Sequence, residues 1–200
     1  MVKVKVCGIT NPDDALAAIE YGADALGFIF APSPRQVDPF EVKKIVSKLP
    51  PFITKVGVFV DAEIGEVKGI MRIAGLDLAQ LHGNEGPEVC EEFSPKVIKA
   101  FNPGTLPRLD ELNQYPVAAF LLDKQKGSDV SPEQLWPIAR DMSSYGLVIL
   151  AGALTHENVA AAISIAQPYA VDVASGVEKE PGKKDHPKMK DFIRAAKSAG

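Results

Sequence analysis

Two cysteines in 200 residues make no disulfide framework. A reducing compartment suits such a chain, and a cytoplasmic location is expected. The longest apolar runs are only a few residues, too short to span a bilayer. The N-terminus has neither a long apolar core nor a small-residue cleavage pattern, which argues against a signal peptide. No basic block is present and the formal net charge is -4. Nucleic-acid binders usually carry a basic stripe, so no nucleic acid and no membrane is expected as a partner. No second histidine or acidic cluster stands at metal-ligand spacing from His82, so no metal is expected. What is there is ordinary globular material. The hydrophobic fraction is 46%, enough to bury a large core. The length suits one domain, residues 1–200.

Short apolar segments recur at 3–6, 25–30, 55–60, 78–81, 97–101, 119–122, 147–150 and 170–173. They are apolar on both faces, as strands covered by helices should be. Helical stretches lie between them. The first runs over 12–21, with Thr10 or Asn11 as N-cap and Gly22 as its stop. The second opens at Asp38-Pro39, a cap followed by proline at the first helical position. Others begin near Ala62, Glu85, Thr105, Ser131, Thr155 and Asp185. Strict alternation of strand and helix means a parallel sheet. Eight units point to an α/β fold, a single (βα)8 TIM barrel. A doubly wound open sheet is the runner-up and would normally stop at five or six strands.

In such a barrel the strand ends carry the chemistry. The first strand ends in Cys7. A free cysteine is often a small buried hydrophobe. This one precedes Gly8 and a helix N-terminus, where a thiol has a lowered pKa. Cys90 falls in a helical stretch and reads as structural. Asp123 ends the apolar run Phe120-Leu121-Leu122, where a carboxylate must be solvated or paired. It is either a cap or an acid facing Cys7 across the site. Arg35 sits on a loop stiffened by Pro32 and Pro34 and is placed to fork onto a carboxylate. His82 follows Gln80-Leu81 and is either a hydrogen-bonded structural histidine or a site residue. Asp61 and Asn102 also end strands. Glycine turns at Gly152-Ala153 and Ser175-Gly176 follow the last two strands, the usual phosphate site of barrels.

Taken in order, Lys5-Val6-Cys7-Gly8-Ile9-Thr10, Gln80-Leu81-His82-Gly83, Asp172-Val173-Ala174-Ser175-Gly176-Val177-Glu178 and Pro181-Gly182-Lys183-Lys184-Asp185 resemble the phosphoribosylanthranilate isomerase family of tryptophan biosynthesis. The resemblance covers essentially the whole chain. It implies an Amadori rearrangement of a small phosphosugar, N-(5-phosphoribosyl)anthranilate, without a cofactor. By the family's pattern Asp123 is the general acid and Cys7 the general base. Arg35 matches the position that holds the anthranilate carboxylate. Gly152, Ala153, Ser175 and Gly176 match the phosphate site. Asp172 lies close enough to orient sugar hydroxyls, and His82 is counted among the substrate-binding positions. The family occurs as monomers and homodimers.

Two positions depart from the family's pattern. The glycine-rich stretch after the sixth strand is replaced by Lys126-Gly127-Ser128-Asp129, and Ala153 stands where a second glycine is common. Alanine suits that place only with a negative φ. Two other readings are set against the isomerase. An isomerase for the analogous histidine-pathway aminoaldose would favour two comparable phosphate sites and an aspartate in place of Cys7. A degenerate barrel that only binds would be expected to lose Cys7 or Asp123.

Overall fold

In the computed structural model, which describes residues 1–124, 127 and 129–200, eight parallel strands close into a barrel in sequence order. They are β1 (Lys3–Cys7), β2 (Ala25–Ile29), β3 (Thr54–Phe59), β4 (Leu78–Leu81), β5 (Val97–Phe101), β6 (Ala119–Leu122), β7 (Val148–Leu150) and β8 (Ala170–Val173). Closure comes from β1 pairing with β8, with Lys5 opposite Asp172. Closing the sheet leaves no unpaired strand edge.

The helices follow from local chemistry. In α1 (Pro12–Glu20) Asn11 is the cap, its side chain accepting from the Asp14 amide. In α2 (Pro39–Val46) Asp38 does the same for Phe40. The helix α3 (Ile64–Ala74) stops at Gly75 with φ of 70°. The short α4 (Pro87–Glu91) buries Cys90 against Phe59, Leu81 and Phe93. No helix starts near Thr105. Pro107 blocks it, because a proline drives the preceding residue out of the α region and has no amide to donate. A 3-10 helix at Leu109–Gln114 takes its place. Ser131 opens a 3-10 turn, Pro132–Gln134, that leads into α5 (Leu135–Met142). Thr155 opens a turn closed by its amide donating to Asn158, and α6 (Val159–Ala166) follows.

The eighth unit carries an addition the strand pattern did not foresee. After a 3-10 turn at Ser175–Val177, β9 (Glu178–Glu180) and β10 (Lys183–Lys184) form a small antiparallel hairpin. Asp185 then caps α7 (His186–Ala199). The hairpin is stitched to the loop after β1 and to the first turn of α1. The Thr10 hydroxyl donates to the Gly182 carbonyl, and the Lys184 amide donates to Asp14.

Two apolar layers result. Val4, Val6, Leu26 and Phe28 face the helices and pack with Val42, Phe192 and Ile193. Inside the barrel, Val56, Ile98, Leu121 and Ile149 pack with Ala100, Ala119 and Ala170. Burying each large aliphatic side chain contributes roughly 1.5–3 kcal/mol. The strands are not apolar on both faces throughout, as the sequence reading had them. Lys5, Gln80, Lys99 and Asp172 are all buried within strands. Lys99 pairs with Glu85 at 2.7 Å and donates to the Gly83 carbonyl, which braces the turn after β4.

Candidate active site

Strand ends from β1, β4, β6, β7 and β8 converge on one cavity of about 230 Å³. Cys7, Arg35, His82, Asp123 and Asp172 line it. So do Gly152, Ala153, Ser175 and Gly176. Asp61 and Asn102 do not. Asp61 accepts from the Asn84 amide and so braces the turn after β4, while Asn102 accepts from the Gly104 amide within its own turn.

Cys7 is the last residue of β1 and lies opposite Gly27 of β2. A Cβ added at Gly27 would sit 2.6 Å from the Cys7 sulfur, so the glycine makes room for the thiol. Four residues separate Cys7 from the start of α1, and the thiol does not rest on that helix N-terminus. Its pKa is raised, not lowered as the sequence suggested. Burial pushes it up, and the neighbouring Lys5 and Lys184 ammoniums only partly oppose this.

Beneath Cys7, Lys5 Nζ donates to Asp172 Oδ2 at 2.8 Å, with both side chains buried. Burial alone would lower the Lys5 pKa, but Asp172 and Cys7 outweigh it and raise it. Asp172 Oδ1 is buried and has no partner among the described residues. An orphaned buried acceptor costs about 1–3 kcal/mol, so this oxygen suits a hydroxyl donor from a ligand.

Asp123 follows β6. Its Oδ1 accepts from the Lys124 amide at 2.7 Å, and its Oδ2 lies 3.6 Å from His82 Nε2. Burial raises the Asp123 pKa against the opposing pull of His82 and that amide. Burial lowers the His82 pKa, although Asp123 opposes it. Gln80 Nε2 lies 3.0 Å from His82 Nδ1. With the Gln80 amide donating, the neutral imidazole presents Nε2–H toward Asp123.

Arg35 reaches the rim from the loop after β2. Its stem crosses Gly8, where an added Cβ would lie 2.6 Å from Arg35 Cδ. Gly8 also has φ of 72°, so glycine is needed there twice over. The turns after β7 and β8 approach each other closely. A Cβ at Gly176 would fall 2.0 Å from the Leu154 carbonyl oxygen. Gly152 has φ of 90° and Ala153 has φ of 55°. The negative φ that alanine would need at 153 is therefore not adopted. Of the stretch after β6, Lys126 and Ser128 lie outside the described residues, while Gly127 and Asp129 are exposed. Among the described residues no three His, Cys, Asp or Glu side chains gather at metal-binding distance. No helix is long and apolar enough to cross a membrane.

The family model for N-(5'-phosphoribosyl)anthranilate (PRA) isomerase matches residues 4–195. The chain belongs to the phosphoribosylanthranilate isomerase family. It is 47% identical over 204 residues to the N-(5'-phosphoribosyl)anthranilate isomerase of Trichlorobacter lovleyi, covering 100% of both chains. The crystal structure of phosphoribosyl anthranilate isomerase from Thermus thermophilus superimposes with a TM-score of 0.89 at 41% identity, covering 100% of both chains. A phosphoribosyl anthranilate isomerase solved with reduced 1-(o-carboxyphenylamino)-1-deoxyribulose 5-phosphate superimposes with a TM-score of 0.86 at 39% identity, over 99% of this chain and 100% of that one. Another solved relative is described as monomers generated from the dimeric phosphoribosylanthranilate isomerase of Thermotoga maritima; it superimposes with a TM-score of 0.82 at 38% identity, over 99% of this chain and 100% of that one.

Three charged residues of this isomerase-family barrel have no role assigned from the sequence alone. Lys5 lies under Cys7, while Glu178 and Lys184 stand beside it. Lys5 had a signal, because Lys3, Lys5 and Cys7 alternate with Val4 and Val6 and so share one face of β1. Glu178 and Lys184 fall within the family-like motifs near the C-terminus, but only the hairpin brings them together.

Proposed function

We propose that Cys7 and Asp123 carry out the isomerisation of N-(5-phosphoribosyl)anthranilate to 1-(2-carboxyphenylamino)-1-deoxyribulose 5-phosphate, a step of tryptophan biosynthesis. Asp123 acts first, giving its proton to the furanose ring oxygen. The C1–O bond breaks as the nitrogen lone pair forms the iminium. The C2 proton is now acidic, and the Cys7 thiolate removes it to give the enolamine. Tautomerisation of the enolamine yields the ketone. A raised carboxyl pKa suits an acid that must hold its proton. The Arg35 guanidinium binds the anthranilate carboxylate. Backbone amides of the turns at Gly152-Ala153 and Ser175-Gly176 bind the phosphate. The free Asp172 oxygen takes a sugar hydroxyl, and His82 borders the substrate beside Asp123. Residues 1–200 act as one domain. The free thiols, Cys7 and Cys90, suit a cytoplasmic enzyme.

The observation that carries this reading is the meeting of Cys7 and Asp123, 116 positions apart in the sequence, in a single cavity that also holds Arg35 and both turns. The test is direct. Phosphoribosylanthranilate generated in situ loses its fluorescence on conversion. Wild type is expected to consume it, and Cys7→Ser and Asp123→Asn are each expected to lose at least about 100-fold in kcat. Activity surviving Asp123→Asn would move the acid elsewhere. A wild type that binds the product without turnover would favour a binding-only barrel.

A further inference from the structure

The hairpin β9–β10 holds two of the residues by which the sequence was recognised, yet the chemistry above gives them no task. Glu178 and Lys184 are both charged and buried, with side chains 4% and 0% exposed. Arg35 donates to Glu178 twice over. Its Nε lies 2.8 Å from Oε1 and 3.1 Å from Oε2, and its Nη2 lies 2.6 Å from Oε2. Lys184 Nζ donates to Glu178 Oε1 at 2.9 Å, to the Cys7 carbonyl at 2.6 Å and to the Ala174 carbonyl at 3.2 Å. All three protons of that ammonium are thereby satisfied.

The geometry of the fork is informative. It occupies the Nε–Nη2 edge of the guanidinium, while Nη1 has no partner among the described residues. Arg35 borders the cavity. A guanidinium has two edges that can each take a carboxylate bidentately. Here one edge is filled from the protein side. Gly8 supports the stem and Glu178 fixes the head, so the second edge keeps a set direction.

We propose that Glu178 is a positioning residue for Arg35, holding the guanidinium so that its Nη1–Nη2 edge meets the aromatic carboxylate of the substrate. Lys184 completes the device. It neutralises Glu178 and ties it to the backbone of Cys7, so the carboxylate anchor and the base share one brace. The proposal rests on Arg35 binding that carboxylate. Glu178 then governs KM and selectivity for a carboxylated ring, and proton transfer at Cys7 and Asp123 proceeds without it.

The experiment uses two ligands and four proteins. The ligands are the reduced product, 1-(2-carboxyphenylamino)-1-deoxyribitol 5-phosphate, and its counterpart lacking the ring carboxylate. The proteins are wild type, Glu178→Gln, Arg35→Met and the double variant. Glu178→Gln is expected to weaken the carboxylated ligand by about tenfold or more, since a charge-assisted pair is lost. KM for phosphoribosylanthranilate rises by the same factor while kcat stays within a few-fold. Binding of the ligand without carboxylate does not change. In the Arg35→Met background the second substitution adds nothing. Glu178→Asp keeps the charge and is expected to fall between Gln and wild type. Equal weakening of both ligands, additive effects in the double variant, or loss of kcat at unchanged KM would each overturn the proposal. A different result marks failure of the underlying reading: Arg35→Met would then leave the preference for the carboxylated ligand intact.

Discussion

Gly27→Ala tests the placement of the thiol more sharply than removing it does. An alanine Cβ at 27 would stand 2.6 Å from Cys7 Sγ, 3.1 Å from Cys7 Cα and 3.2 Å from Cys7 Cβ. Non-bonded heavy atoms settle near 3.5–4.0 Å, so the sulfur must retreat by about 1 Å. Rotation of the thiol or a shift at the end of β1 supplies that movement, and either takes the sulfur off its line. A misplacement of about 1 Å at a reacting group costs on the order of 100-fold in rate. Overpacking a core position costs about 1–3 kcal/mol in stability, and here the lower end applies because a short side chain can rotate. The expected result is a kcat reduced on the order of 100-fold, KM changed only a few-fold, and a folded protein by urea titration. The three atoms nearest the added Cβ all belong to Cys7 and none to Arg35 or the phosphate turns, which is why KM is spared. A kcat within about threefold of wild type would refute the reasoning, since the thiol would then have room that the packing denies it.

Lys5→Met leaves the buried Asp172 without its cation and is expected to destabilise the fold by about 3–5 kcal/mol in urea. A loss under about 1 kcal/mol would mean that the pair is solvated. Ala153→Gly removes a left-handed strain of about 1–2 kcal/mol, less the chain entropy of glycine, and is expected to gain up to about 1 kcal/mol with activity retained. Any destabilisation would contradict the positive φ. The pH profile of kcat/KM is expected to be bell-shaped. Asp123 and Cys7 are both raised by burial from 3.8 and 9.0, so between their limbs the common form is carboxylate with thiol. The productive pair, carboxylic acid with thiolate, is the minor arrangement of the same number of protons. Thiolate absorbance from Cys7 should therefore emerge only above the ordinary cysteine range, and its appearance below pH about 8.5 would count against burial as the dominant influence.

The barrel was legible because its periodicity is simple. Apolar strands and capped helices alternate, and closure of eight parallel strands follows from there being eight of them. Cys7 and Asp123 were legible for the same reason, since a polar residue at the end of an apolar strand points to the rim. The failures have distinct physical causes. Thr105 looked like a helix start because capping chemistry was weighed without Pro107 two residues on. The Cys7 thiol looked acidic because a helix was assumed to begin beside it. Instead four residues intervene and burial decides the sign. Ala153 passed as tolerable because φ cannot be read from composition. Lys5 is the instructive omission. Reading β1 as apolar on both faces hid an alternation that places Lys5 and Cys7 on the same side, and a lysine inside a barrel requires an anion. Asp172, already singled out for sugar hydroxyls, was that anion, so the two carboxylate oxygens divide their work: one is spent on the fold and one is free for a ligand. Glu178 repeats the pattern from the other direction. It satisfies one edge of Arg35 and leaves the other to the cavity. In both places a group that lines the cavity is held by a buried counter-charge on a neighbouring element. That arrangement exists only once β1, β2 and the chain following β8 have been brought side by side.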